Sequence, residues 1–120
     1  MRQALGWAAF ESYVNGKLGL TATLASGSQA HDPGDGTDYR HHSETDYALQ
    51  VDAKYTVRGS FSVNRRFMRS SWERAVAQGK AFALPLRFAN ERTGDIEDWV
   101  VIPFDDYVAL VEEHRARSEA

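Results

Sequence analysis

The stretch Tyr47-Ala48-Leu49-Gln50-Val51-Asp52-Ala53-Lys54-Tyr55-Thr56 decides the fold. Strand side chains alternate between faces, so Tyr47, Leu49, Val51, Ala53 and Tyr55 share one face. Ala48, Gln50, Asp52, Lys54 and Thr56 share the other. A strand with one continuous apolar face must lay it against another layer. On the opposite face Asp52 and Lys54 stand side by side. Such a pair is often a solvent-facing ion pair, common and weak. The same pair can also hold a divalent metal and steady a developing negative charge, as phosphodiester hydrolysis requires.

The 120 residues fit a single domain, 1–120, with one core. A hydrophobic content of 42% argues against wholesale disorder. No apolar run approaches membrane-spanning length, so no membrane partner is expected, and the N-terminal residues lack a secretory pattern. The absence of cysteine excludes disulfides, thiol nucleophiles and cysteine zinc sites, and fits an intracellular protein. A net charge of −3 counts against a general nucleic-acid coat protein, yet the charge is polarised. Asp32, Asp35, Asp38, Glu44, Asp46 and Asp52 face only Arg40 in one block. Lys54, Arg58, Arg65, Arg66, Arg69, Arg74 and Lys80 face only Glu73 in the next. Two solvated surfaces of opposite sign would produce this pattern; so would a metal site beside a phosphate-tracking surface.

Upstream, residues 4–18 form an expected amphipathic helix with Trp7, Phe10, Val14 and Leu18 in one stripe. Glu11 falls at the edge of that stripe. A carboxylate there either has a partner or metal, or reaches water over its own stem. Leu20 to Leu24 is a weak strand, and 25–36 a long loop rich in Gly, Ser and Pro. A strand at 37–42 and a turn near 43–46 then fold the acidic loop back on the 47–56 strand. A turn centred between Ser43 and Glu44 puts Asp35 opposite Asp52; one centred at Thr45 puts Asp38 there. Downstream, 65–78 reads as a helix burying Met68, Trp72, Ala75 and Val76 and ending at Gly79. Ala81–Phe88 is a buried strand in which Pro85 suggests an edge or a bulge. Asn90–Asp98 is a polar turn and Trp99–Ile102 a short strand. A C-terminal helix then follows Pro103, with Tyr107, Leu110, Val111 and His114 on its apolar side and a fraying tail from Arg115. The whole is an α/β domain, a small mixed β-sheet flanked by helices.

The ordered set Glu11, Ser26-Gly27-Ser28, Pro33-Gly34-Asp35, Asp52-Ala53-Lys54-Tyr55-Thr56, basic helix and two strands resembles the PD-(D/E)xK nuclease superfamily. Within it, the chain looks like the small Holliday-junction-resolvase-like nucleases of archaea and phages. Ser60-Phe61-Ser62-Val63 and Trp99-Val100-Val101-Ile102-Pro103-Phe104-Asp105-Asp106 are similar to phage members as well. The resemblance implies a restriction-endonuclease-like fold with an αβββαβ core and a metal-dependent, structure-selective DNA endonuclease. It implies Mg2+ or Mn2+ held by Asp35 (Asp38 as the alternate), Asp52 and Glu11, and Lys54 acting on the attacking water or the phosphorane. Ser26 and Ser28 would contact the DNA backbone, with Arg58, Arg65, Arg66 and Arg69 supplying charge. The substrate it implies is a branched or four-way junction, the assembly a homodimer, and the setting the cytoplasm of a bacterial or phage-infected cell. Asp52 stands where the family usually has Glu, and His41 and His42 lie in an unusually long hairpin. A non-catalytic DNA-binding member of the fold, another phage-type nuclease and an unrelated α/β interaction protein stay open as alternatives.

Overall fold

The computed structural model describes residues 6–22, 36–37 and 48–119. In chain order the elements are α1 (Trp7–Leu18), β1 (Thr21–Ala22), β2 (Gly36–Thr37), β3 (Leu49–Val51), β4 (Lys54–Thr56), α2 (Arg65–Ala77), β5 (Ala81–Ala89), β6 (Ile96–Val101) and α3 (Phe104–Glu119). This is a mixed α/β fold. β1 and β2 pair antiparallel, as do β2 and β3 and also β5 and β6; β3 and β4 run parallel to β5.

The 47–56 strand is present in two halves at a single register: Leu49 pairs with Ala81 and Val51 with Ala83, then Lys54 with Leu86 and Thr56 with Phe88. The break at Asp52–Ala53 has a cause in β5. Ala81 N donates to Ala48 O at 2.8 Å, and Asp52 N to Ala83 O at 3.0 Å. The donors of β5 that face this neighbour are therefore the odd-numbered ones. At position 85 the donor is missing, because proline has no N–H. The expectation that Pro85 marks an edge or a bulge is thereby corrected. β5 is paired on both sides, and its register with β6 runs unbroken from Leu84–Val101 to Ala89–Ile96. The proline costs one rung of the ladder.

Alternation along β5 separates two cores. Ala83 joins Phe10 and Val14 of α1 and Leu49, Val51 and Ala53, with Tyr55 and Ala81 packed alongside. Phe82, Leu84 and Leu86 join Ala75 of α2, with Phe67, Met68 and Phe88 alongside. So α1 covers one face of the sheet and α2 the other. Leu84 is fully buried; removing a side chain of that kind to Ala costs about 2–5 kcal/mol. Gly79 takes φ 71° just past α2, where a left-handed residue closes the last turn and its N–H bonds Val76 O at 2.9 Å.

Several boundaries and faces differ from expectation. In α1, Phe10 and Val14 are buried, but Trp7 and Leu18 at the ends of the stripe are exposed. In α2 the buried face runs through Phe67, Ser71 and Ala75, leaving Trp72 and Val76 outside. β6 begins at Ile96, so Glu97 and Asp98 belong to a strand, not to the turn. The turn is shorter: Asn90 Oδ1 accepts from Arg92 N and Thr93 N, and Gly94 N bonds Asn90 O at 2.7 Å. α3 is helical to Glu119, and none of its residues is buried, Tyr107, Leu110, Val111 and His114 included. Among the described residues no helix is long and apolar enough to cross a membrane.

Candidate functional site

Strand alternation delivers Asp52 and Lys54 to the α2 side of the sheet. Their side chains meet, Lys54 Nζ lying 3.3 Å from Asp52 Oδ1, with Asp52 15% and Lys54 32% exposed. Lys54 Nζ also sits 5.0 Å from the centre of the Phe67 ring, a cation–π contact that fixes the ammonium from above. Phe67 is held there by the start of its helix: the Asn64 side chain caps α2, accepting from Phe67 N at 2.8 Å. A narrow crevice under α2 gathers Gln50, Asp52, Ser71, Arg74 and Phe82. Arg74 donates to Ser70 Oγ at 3.0 Å and to Ser71 Oγ at 3.4 Å, which turns its guanidinium along this flank of the helix. Asp52 thus meets Lys54 directly and shares the crevice with Arg74.

Of the residues singled out from the sequence, the structure brings Asp52 and Lys54 together. Glu11 belongs to α1, between Phe10 and Val14, which pack on Val51 and Ala53. Those two point to the opposite face from Asp52 and Lys54, so Glu11 starts from the other side of the sheet. Ser26, Ser28, Asp35, Asp38, His41 and His42 lie outside the described residues. The described hairpin pairs are Gly36–Val51 and Thr37–Gln50. Ser43, Glu44 and Thr45, on which the two expected turn positions rest, lie outside the described residues.

The arginines divide. Arg65 and Arg69 line a groove towards α3, Arg66 is exposed, and Arg58 sits in the connector after β4, its N–H bonded to Thr56 Oγ1 at 3.0 Å. Arg74 is the arginine beside Asp52. Sequence reading counted it only as decoration of the helix, although Ser70, Ser71 and Arg74 are spaced to share a flank. Gln50 was visible as part of the same alternating face, but its burial beside Asp52 was not.

A second acid–base pair escaped the sequence reading. Arg87 is 2% exposed in the middle of β5, and it binds Asp98 of β6 through two hydrogen bonds of 2.7 Å, Nε to Oδ1 and a terminal nitrogen to Oδ2. Its guanidinium stacks 4.7 Å from the Phe10 ring centre and 5.0 Å from that of Tyr13. Its hydrogen bonds to Asp98 raise its pKa further, against the lowering effect of burial. Beside it Tyr55 donates to Glu91 Oε2 at 2.9 Å. Burial raises the phenol above its ordinary value of 10.0, opposed by the Gly6 backbone and assisted by Glu91. The only hint in sequence was a lone arginine inside an apolar run, with an acid in the apolar run that follows.

A hard, oxygen-only donor set without cysteine suits Mg2+ or Mn2+. Asp52 fits such a set as one carboxylate. Among the described residues no group of three Asp, Glu or His side chains gathers around a common point. Comparison with family models, with curated proteins and with solved structures finds no match to this chain.

Proposed function

We propose that this chain is a metal-dependent DNA endonuclease, and within that class a structure-selective enzyme of the Holliday-junction-resolvase kind. The observation that carries the proposal is the Asp52–Lys54 pair, 3.3 Å apart on a half-covered sheet face with Arg74 alongside. Two further features support it. With β3 and β4 taken as one interrupted strand, the elements run α-β-β-β-α-β through β5, the order expected of a PD-(D/E)xK core. Carried one residue beyond Gly36–Val51, the hairpin register would set Asp35 across from Asp52, which favours Asp35 over Asp38 as the second carboxylate.

Asp52 and Asp35 would then hold Mg2+ or Mn2+; Glu11, which starts from the opposite face of the sheet, stands outside that pair. When bound, the ion lowers the pKa of water and neutralises phosphate charge. Lys54 is positioned by Asp52 and Phe67 to donate a hydrogen bond to a phosphate oxygen or to the attacking water. Such a donor contributes most when negative charge develops. Arg74, Arg66 and Arg58 supply affinity for the phosphate backbone, with no base readout. Ser26 and Ser28 remain candidates for backbone contacts.

The test is cleavage of a labelled four-way junction and a matched linear duplex, with Mg2+ and with chelator, by the native chain and by Asp52→Asn. Symmetric nicking of the junction alone, lost in the variant and in chelator, is the expected result. Cutting of both substrates would keep the nuclease and remove the junction. Binding without cutting would replace the enzyme by a DNA-binding module, and neither would remove nucleic acid altogether.

A further inference from the structure

Helix α2 addresses both members of the Asp52–Lys54 pair. Phe67, Ser71 and Ala75 recur at four-residue steps along it and share the flank laid on the sheet. From Phe67 to Ser71 the helix advances about 6 Å. From Asp52 to Lys54 the extended chain advances about 6.6 Å. The two steps match, so roughly one turn of helix spans the pair. At one end Lys54 Nζ lies 5.0 Å from the centre of the Phe67 ring. At the other, Asp52 shares its crevice with Ser71 and Arg74. Phe67 is itself placed from two sides. Its ring packs alongside Phe82, Leu84 and Leu86, and its N–H donates to Asn64 Oδ1 at 2.8 Å, the cap of α2. The ring is therefore a fixed surface, whereas Lys54 is a flexible four-carbon stem with a point charge at its end.

We propose that Phe67 is a positioning residue for cleavage: its ring holds the Lys54 ammonium in the place from which it meets the phosphate, and Asn64 holds the ring. The proposal rests on the nuclease reading and deepens it, because it moves part of the reacting geometry from the strand to α2. Phe67 touches neither substrate nor metal; it acts through Lys54. One contact of 3.3 Å to Asp52 leaves the ammonium free to swing about that carboxylate. Attraction to the ring adds a second point of hold. A donor already in place gives up less freedom at the moment of reaction, and small misplacements of such a group are costly. The chemistry of the contact separates this role from plain packing. A Phe67 that only fills space answers to the shape of its side chain. A Phe67 that steers Lys54 answers also to the negative face of its ring, since the attraction comes from the ring quadrupole. Fluorine on the ring drains that face and nearly keeps the shape.

The test is single-turnover cleavage of a labelled four-way junction and its matched duplex with Mg2+, beside the Kd for the same DNA in chelator, on the full chain. Phe67→Leu is expected to slow cleavage about tenfold while Kd stays within about twofold. Trifluorophenylalanine at position 67 is expected to slow it about threefold with an unchanged unfolding midpoint. Asn64→Ala is expected to act in the same direction, and Asn64→Asp, an equal cap, to restore the native rate. A readout without DNA accompanies these: the Lys54 ε-methylene protons are expected upfield in the native chain, under the ring, and further downfield in Phe67→Leu. A native rate in Phe67→Leu or in the fluorinated chain would overturn the proposal. So would a Lys54 resonance that ignores the ring, or a loss of rate matched by an equal loss of DNA affinity. If Phe67→Leu fails to fold, the fluorinated chain, which keeps the shape, decides. Each of these failures leaves the nuclease in place. A native chain that cuts neither substrate removes the nuclease reading, and the proposal with it.

Discussion

Two acid–base pairs lie on opposite faces of one small sheet, and they are built to different standards. Arg87 and Asp98 are joined by two hydrogen bonds of 2.7 Å, in a fork geometry, with the guanidinium sealed between Phe10 and Tyr13. Lys54 and Asp52 meet through one contact of 3.3 Å, and both keep some access to water. The first pair is a two-point clamp under two aromatic rings, which suits a part that holds α1, β5 and β6 in place. The second, among the described residues, leaves a carboxylate oxygen and two ammonium protons for something else. A bidentate arginine is specific and rigid, whereas a lysine is a mobile point charge. Tightness marks the structural pair, and looseness marks the one with chemistry to offer.

The largest expected effect breaks the tight pair. Asp98→Ala leaves a buried guanidinium without its counter-charge, and this should cost about 3 kcal/mol of stability, the low end for breaking a buried pair because Asp98 itself keeps 32% exposure. Denaturant unfolding measures it. A loss below about 1 kcal/mol, the range of exposed pairs, would show that the two pairs are alike and the comparison empty. Lys54→Met should reverse the pattern. Junction cleavage should fall at least about a hundredfold, the scale seen when one donor to a developing oxyanion is removed. Stability should change by less than about 1 kcal/mol. Equal losses of stability in both variants would place Lys54 among the structural groups.

A smaller effect sharpens the same contrast. If Asp52 belongs to a cation site, Mg2+ at ten times its dissociation constant should stabilise the fold by about 1.4 kcal/mol. This is readable as a rise in Tm, and Asp52→Asn should abolish it while Asp98→Ala should not. A native chain whose Tm is indifferent to Mg2+ would remove the metal from the proposal and leave Asp52–Lys54 as an ordinary ion pair.

The difference between the pairs also explains what could be read in advance. Asp52 and Lys54 were legible because they fall on the polar face of a strict alternation from Tyr47 to Thr56, and the strand and its apolar face followed from the same periodicity. Arg87 was not legible. A single arginine in Ala81–Ala89 gives no period, and its partner was hidden by reading Glu97 and Asp98 as turn residues. Propensity favours turns for acids, but here register with β5 won, because Asp98 stands directly opposite Arg87. The faces of α2 were legible only to within one step of the helix. Periodicity grouped Met68, Trp72, Ala75 and Val76, but the sheet accepts the small Ser71 and Ala75 more closely than Trp72. The helix therefore turned its indole to the groove. Asp35 and Asp38, which carry the rest of the proposed site, lie outside the described residues, and only the Gly36–Val51 register bears on the choice between them.

The smallest expected effect belongs to Tyr55, which sits beside the tight pair and shares its cover. Burial and Glu91 raise the folded phenol above its unfolded value of 10.0, so the folded state holds the proton longer than the unfolded state. The corresponding stabilisation is fully present below pH 10 and is lost as pH rises through the folded value. The native chain should therefore lose denaturant resistance on the alkaline side more steeply than Tyr55→Phe, whose side chain cannot ionise. At neutral pH the variant should differ little, because the hydrogen bond it loses is exposed. Unfolding midpoints taken from pH 8 to pH 11 would show two curves that separate as pH rises, the native chain falling below the variant. Parallel curves would mean that the phenol is as free to ionise in the fold as in the unfolded chain, and that the cover over Arg87 ends short of Tyr55.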